Sequence, residues 1–130
     1  MHLVHYNSKY GNLARSIQHK DGLVVLSVLF KLTPHDNKHL QPIMNASDKL
    51  RMPGTSSNED MASLDLRLER LLPRDTHSYF TYFGSLTTPP CNQVVTWVIF
   101  AEALGVSEHQ MRQFRSPITC YCLYCRLFHP

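Results

Sequence analysis

The side chains able to do chemistry fall in a few short stretches. His2 and His5 stand three positions apart in His2-Leu3-Val4-His5-Tyr6. Two threonines, Thr87 and Thr88, precede Pro89-Pro90-Cys91 in the segment FGSLTTPPCNQ, too distinctive for a plain connection. Near the end, Cys120, Cys122 and Cys125 form Cys-x-Cys-x-x-Cys with His129 close behind. Imidazoles and thiolates are the usual ligands of zinc. The two histidines are nevertheless no chelating pair if their stretch is a strand, because residues three apart then point to opposite faces. At most one of them faces a given site, and either one also reads as an ordinary hydrogen-bonded strand residue.

The elements that must position these groups are mostly strands. Val4 and Tyr6 favour a strand over 2–6. Tyr10 to Gln18 reads as a short helix with Leu13, Ala14 and Ile17 on one face. Leu23 to Leu32 follows the turn-like Asp21-Gly22 and is apolar on both faces, which predicts a central, buried strand. Thr33-Pro34 suits a helix start, and a helix through Leu40, Ile43, Met44 and Leu50 would bury one side, with Pro42 arguing for a late start or a kink. Residues 52–58 read as a Pro/Gly/Ser loop. Leu64, Leu66 and Leu68 alternate with charged residues as in a half-buried strand, although Leu68, Leu71 and Leu72 also suit a helical turn. Tyr79 to Tyr82 and Val94 to Phe100 are strands rich in aromatic and β-branched residues. Ser107 caps a helix over 108–114. The fold class is α+β and β-dominated, with a central sheet and a few surface helices.

Composition bounds the rest. The 130 residues suit one domain, and 43% hydrophobic with 18% charged residues suits a globular protein. A net charge of +3, without a run of Lys or Arg, gives no footprint for nucleic acid. No apolar stretch is long enough to span a bilayer. The residues after Met1 lack the pattern of a signal peptide, so targeting information is expected to be absent or to lie outside this sequence.

Gly84 to Pro90 (GSLTTPP), followed by Val95-Thr96-Trp97, closely resembles the signature segment of the α-carbonic anhydrases. HLVHYNSKYG resembles that family's third-ligand strand, and DGLVVLSVLFKL its next core strand. Leu71-Leu72-Pro73, YFTYFGSLTTPP, VVTW and Phe114-Arg115 keep the family's order and approximate spacing, so the resemblance covers roughly residues 1–115. It implies a partial α-carbonic-anhydrase fold with a twisted mixed sheet, as a domain over 1–117 and a divergent Cys-rich tail over 118–130.

The resemblance also implies the activity, zinc-dependent reversible hydration of carbon dioxide to bicarbonate, and the residues. His2 matches a zinc ligand, the third of three, and His5 a structural histidine on the reverse face. Thr87 matches the catalytic hydroxyl that accepts from zinc-bound hydroxide, and Thr88 its neighbour at the substrate position. Val4, Val25, Leu86, Val95 and Trp97 match the apolar wall for carbon dioxide, a sensible lining for an uncharged substrate. Without the family, Val25 and Val95 would simply be core. Tyr82 matches a structural support, and Pro89-Pro90 is expected to include a cis peptide bond. A zinc with three imidazoles keeps its fourth position for water and acidifies it; this is known from carbonic anhydrases themselves, not read from these residues.

The sequence departs from the family in two places. The His-x-His strand that supplies the other two ligands has no counterpart here, and neither do the carboxylates and the proton-shuttle histidine of the upstream half. The chain is therefore expected to be the C-terminal part of the domain, inactive by itself, since one imidazole holds zinc poorly. After Phe114-Arg115-Ser116-Pro117 the sequence ITCYCLYCRLFHP no longer resembles the family. Cys91 matches a cysteine that, in many secreted members, pairs with one near the N-terminus, and with the sequon Asn45-Ala46-Ser47 it favours a secreted parent. Two alternatives stay open: a catalytically silent carbonic-anhydrase-related binding or structural protein, and a small metal-binding protein built on the cysteine tail. The sequence leaves the oligomeric state undetermined.

Overall fold

The computed structural model describes residues 1–49 and 67–115, with backbone alone for 46–49. These residues fall into two compact units.

The first unit comprises Met1–Lys31 and Leu72–Leu104. Its four-stranded sheet has the order β1-β2-β5-β4, built from β1 (His2–Tyr6), β2 (Leu23–Ser27), β4 (Tyr79–Gly84) and β5 (Val95–Phe100). β1 runs antiparallel to β2, β2 parallel to β5, and β5 antiparallel to β4, so the sheet is mixed. Its core is Leu23, Val25, Val94, Val95 and Trp97, with Ile17 and Leu86 packed on it.

Two sequence expectations are corrected here. The apolar run 23–32 is not one strand: β2 ends at Ser27, and Phe30–Thr33 form β3, which pairs with β6 (Leu104–Ser107) in a separate two-stranded sheet. β2 is internal to its sheet but not buried on both faces, since Leu23, Val25 and Ser27 are buried while Val24 is exposed. The expected helix over 10–18 is smaller, a 3-10 turn at Ser8–Tyr10 and then α1, Leu13–Ser16. Asparagines start both turns: Asn7 Oδ1 accepts from Lys9 N at 3.1 Å and Asn12 Oδ1 from Arg15 N at 2.9 Å. Tyr10 stacks on His19 with centroids 3.8 Å apart and donates to Asp21 Oδ1 at 2.5 Å, which holds that carboxyl below the usual range.

The described part of the second unit holds the later residues of β3 and β6, from Leu32 and Gly105 on, with α2 (Gln41–Lys49) and α3 (Glu108–Arg115). Thr33 ends β3 rather than starting a helix. Helical structure begins only at the 3-10 turn Lys38–Leu40 and continues as α2, with Pro42 in its first turn. Leu40 and Met44 are buried as the periodicity predicts, while Leu50, Leu64, Leu66 and the loop 52–58 lie outside the described residues. Leu68 belongs to a 3-10 turn, Leu68–Leu71, so the helical alternative holds for that end of the leucine run.

Ser107 does cap α3. Its Oγ accepts from Gln110 N at 3.0 Å, and Gln110 Oε1 accepts from Ser107 N at 3.3 Å. This is the reciprocal capping box of a Ser-x-x-Gln sequence. Gln110 is buried and also accepts from Asn37 N and donates to Asn37 O, both at 2.9 Å. Asp36 accepts from Ser107 Oγ and, at 3.2 Å, contacts His109 Nδ1, so its carboxyl is held below the usual range, chiefly by the serine. Ser107→Ala is expected to lower stability by about 1 kcal/mol, read as a lower urea midpoint with an unchanged slope.

Candidate functional site

The register decides which side chains share a surface. Val4 lies opposite Val25, Val25 opposite Trp97, and Trp97 opposite Tyr82. Directly paired residues point to the same side of a sheet. His2, Val4, Val25, Val95, Trp97 and Tyr82 therefore lie on one face, because each sits an even number of places from these partners. His5, paired with Val24, lies on the other face. The two histidines are thus separated by the sheet, as their spacing requires.

Trp97 is the joint of that face. It is only 6% exposed. The His2 ring meets it edge-on at 4.8 Å between centroids, and Tyr82 stacks on it at 6.2 Å with an interplanar angle of 10°. Its Nε1 donates to Ser85 O at 3.2 Å, which fixes the start of the 85–94 connection. Gly84 permits this approach, since a Cβ there would sit 3.2 Å from Trp97 Cδ1 and 3.1 Å from Tyr82 Cε2.

The connection between β4 and β5 is held at several points. Leu86 N donates to Asn92 O at 3.0 Å, Cys91 N to Thr88 O at 3.0 Å, and Asn92 Nδ2 to Ile17 O at 2.8 Å. The Pro89-Pro90 peptide bond is cis, as expected, and Cys91 has φ +57°. Leu86 packs on the core, whereas Thr87 and Thr88 are exposed. Cys91 is exposed and free. Ser85 and Asn92 carry much of this arrangement, yet neither was singled out from the sequence. Ser85 acts through its carbonyl, which leaves no mark in a side chain; the only available signal was an Asn directly after the Pro-Pro-Cys turn.

His2 meets Trp97 on one side and is otherwise exposed. Burial first, then the charge of the Met1 amino group, lowers its pKa from the usual imidazole value, so it is neutral at pH 7. A neutral imidazole is the form that ligates a metal. One is not enough: no cluster of three His, Cys, Asp or Glu occurs among the described residues. The described residues by themselves do not fit a zinc ion. Of the apolar wall, Val25, Val95 and Trp97 are buried and Leu86 partly so, while Val4 is 54% exposed.

A family model described as eukaryotic-type carbonic anhydrase matches residues 1–121. The chain belongs to this family. It is 38% identical over 111 residues to carbonic anhydrase 6 of Mus musculus, covering 85% of this chain and 34% of that protein. To carbonic anhydrase 3 of Sus scrofa it is 34% identical over 116 residues, covering 89% of this chain and 42% of the relative. To carbonic anhydrase 6 of Canis lupus familiaris it is 36% identical over 119 residues, covering 91% and 36%. The chain thus spans about two fifths or less of the length of these relatives. The β-dominated mixed sheet with few helices agrees with a partial carbonic anhydrase fold. Among the described residues no helix is long and apolar enough to cross a membrane.

Proposed function

We propose that this carbonic anhydrase family chain supplies the substrate-side half of a site for zinc-dependent, reversible hydration of carbon dioxide. The observation that carries the reading is the shared sheet face: the exposed imidazole of His2 stands on the same surface as Val4, Val25, Val95 and Trp97, with Leu86 packed on that core. An apolar floor beside a neutral metal-ligating group is what an uncharged substrate requires. In this reading His2 is one of three zinc ligands, the other two coming from a strand outside this sequence. Zinc, when held by the full set, supplies an acidified water as nucleophile. Thr87 would supply a hydroxyl beside that position, able to accept one hydrogen bond there while donating to a carboxylate also outside this sequence. Thr88 borders the substrate, His5 and Tyr82 support the site, and residues 118–130 form a divergent tail. The exposed thiol of Cys91 suits a disulfide with a cysteine elsewhere in a secreted parent.

The 130-residue chain alone is expected to retain far less than one zinc after dialysis and to hydrate carbon dioxide no faster than a free-zinc control. A longer product of the same gene carrying a His-x-His strand is expected to retain one zinc and be active, and His2→Ala in it to lose the metal. Zinc analysis with stopped-flow hydration decides this. Stoichiometric zinc and enzyme-like rates in the 130-residue chain would overturn the assignment of the missing ligands. A longer product without those histidines would favour the second reading, a catalytically silent binding protein. The lack of a three-donor cluster among the described residues is what keeps that reading alive. Metal content after deletion of residues 118–130 tests the cysteine tail as an alternative site.

A further inference from the structure

The connection 85–94 leaves β4 at Gly84 and enters β5 at Val95, and these two residues are direct partners in the sheet. It is a loop whose ends meet, with Thr87 and Thr88 between them. Two hydrogen bonds shape it from within: Leu86 N donates to Asn92 O and Cys91 N to Thr88 O, each at 3.0 Å. Internal bonds fix the form of a loop but not its stance, since the closed loop can still swing about its base. Among the described residues, one hydrogen bond leaves 86–92 for another element: Asn92 Nδ2 donates to Ile17 O at 2.8 Å.

Ile17 is a firm anchor. It is the C-cap of α1, and its side chain packs on the sheet core. The carbonyls on either side of the turn are used locally: Leu13 O accepts from Ile17 N and Arg15 O from Gln18 N, both at 3.1 Å, and Ser16 O from His19 N at 3.0 Å. The Ile17 carbonyl is left for Asn92, as the last carbonyls of a helix need partners from outside it. A carbonyl only accepts, so the amide nitrogen of Asn92 and not its oxygen must face it. Position 92 therefore requires a short side chain that ends in a donor. The Asn92 main chain completes the clamp, because its carbonyl accepts from both Leu86 N and Val94 N at 3.0 Å. One residue thus joins the end of α1 to the neighbour of Thr87 and to the entry of β5.

We propose that Asn92 is a positioning residue for the threonine pair, holding the segment that carries Thr87 and Thr88 against the end of α1. It acts through Leu86 and the loop main chain. The proposal rests on the reading of Thr87 and Thr88 as hydroxyls of the site. Such groups are sensitive to placement, since a displacement of about 1 Å can cost on the order of a hundredfold in rate. A loop free to swing about its base would not hold them to that tolerance.

Two variants of the 130-residue chain remove the donor. Asn92→Asp keeps the shape, and Asn92→Leu keeps the approximate volume without adding a charge. In both, hydrogen exchange at the Leu86 and Cys91 amides is expected to accelerate roughly tenfold, the loss of about one hydrogen bond, while the protected amides of β2 keep their wild-type rates. A residue that only stabilised the fold would accelerate both sets alike. Unchanged exchange at the two loop amides overturns the proposal, and so does a common acceleration or a loss of folding in both variants. The second arm uses the longer product carrying the His-x-His strand. There Asn92→Asp is expected to retain one zinc and to lower kcat/KM at least about tenfold, whereas a mere stability defect would lower zinc content and activity together. Full zinc with an unaltered kcat/KM overturns the positioning role. A wild-type longer product that holds no zinc defeats the reading of the site instead, and the clamp then stands or falls on the exchange result.

Discussion

Replacing Trp97 with alanine is expected to lower stability by about 3–5 kcal/mol, the range for removing a buried tryptophan. Natural domains have only about 5–15 kcal/mol in total, so the variant stands near the edge of folding. The ring does more than fill space. It abuts His2 and Tyr82, and its indole nitrogen holds Ser85 O. Loss of the ring leaves a cavity between two strands and frees a carbonyl at the root of the segment that carries Thr87 and Thr88. Because Trp97 is the chain's single tryptophan, the comparison must be made by circular dichroism in urea, not by tryptophan emission. Trp97→Phe keeps most of the volume and lacks only the donor, so it is expected to recover more than half of the loss. An alanine variant as stable as wild type would mean that the Leu23–Val95 core stands without its largest member.

Gly22→Ala is expected to be almost as damaging, at about 3 kcal/mol, the upper end for overpacking. A Cβ at this position would lie 1.8 Å from Ser16 O and 2.8 Å from His19 O. Both neighbours are backbone and cannot swing aside. Ser16 N donates to Asn12 O and His19 N to Ser16 O, each at 3.0 Å, so the α1 turn is closed on itself beneath the glycine. Relief requires moving that turn off the start of β2, and Ile17 with it. Asn92 donates to Ile17 O at 2.8 Å, so the disturbance reaches the connection that carries the threonines. Hydrogen exchange of amides 86–94 should accelerate in Gly22→Ala along with the fall in urea midpoint. Unchanged exchange there would show that the loop does not depend on the α1 turn.

The sequence was legible where side-chain pattern and backbone agreed. The strands expected over 79–82 and 94–100 declare themselves by aromatic and β-branched residues, and the last helix by Ser107 as its cap, while the return bond from Gln110 was not foreseen. The opposed faces of His2 and His5 followed from strand periodicity alone. The apolar run 23–32 misled because hydrophobicity does not record a bend: no Gly or Pro marks the step from β2 to β3, and a strand–bend–strand looks like one long strand. β6 escaped because Leu104-Gly105-Val106-Ser107 is four residues long and includes a glycine. The family resemblance singled out Val4, Val25, Trp97 and Tyr82, but only the register shows that they stand side by side. The contacts made through the carbonyls of Ser85 and Ile17 have no signature in residue type.

The parallel seam between β2 and β5 bears on the order in which the molecule assembles. β1 and β2 are neighbours in the chain, and so are β4 and β5, so each pair forms an antiparallel ribbon from nearby residues. The seam joins Leu23 to Val95 and Ser27 to Ile99, partners 72 positions apart. Closing so long a loop is entropically unfavourable before any contact compensates, which makes such pairings slow. During synthesis β2 must wait, its apolar edge open, until the ribosome has delivered β5. The surface that gathers His2 and Trp97 thus comes together only after residues 95–99 have been made, later than either antiparallel ribbon taken alone.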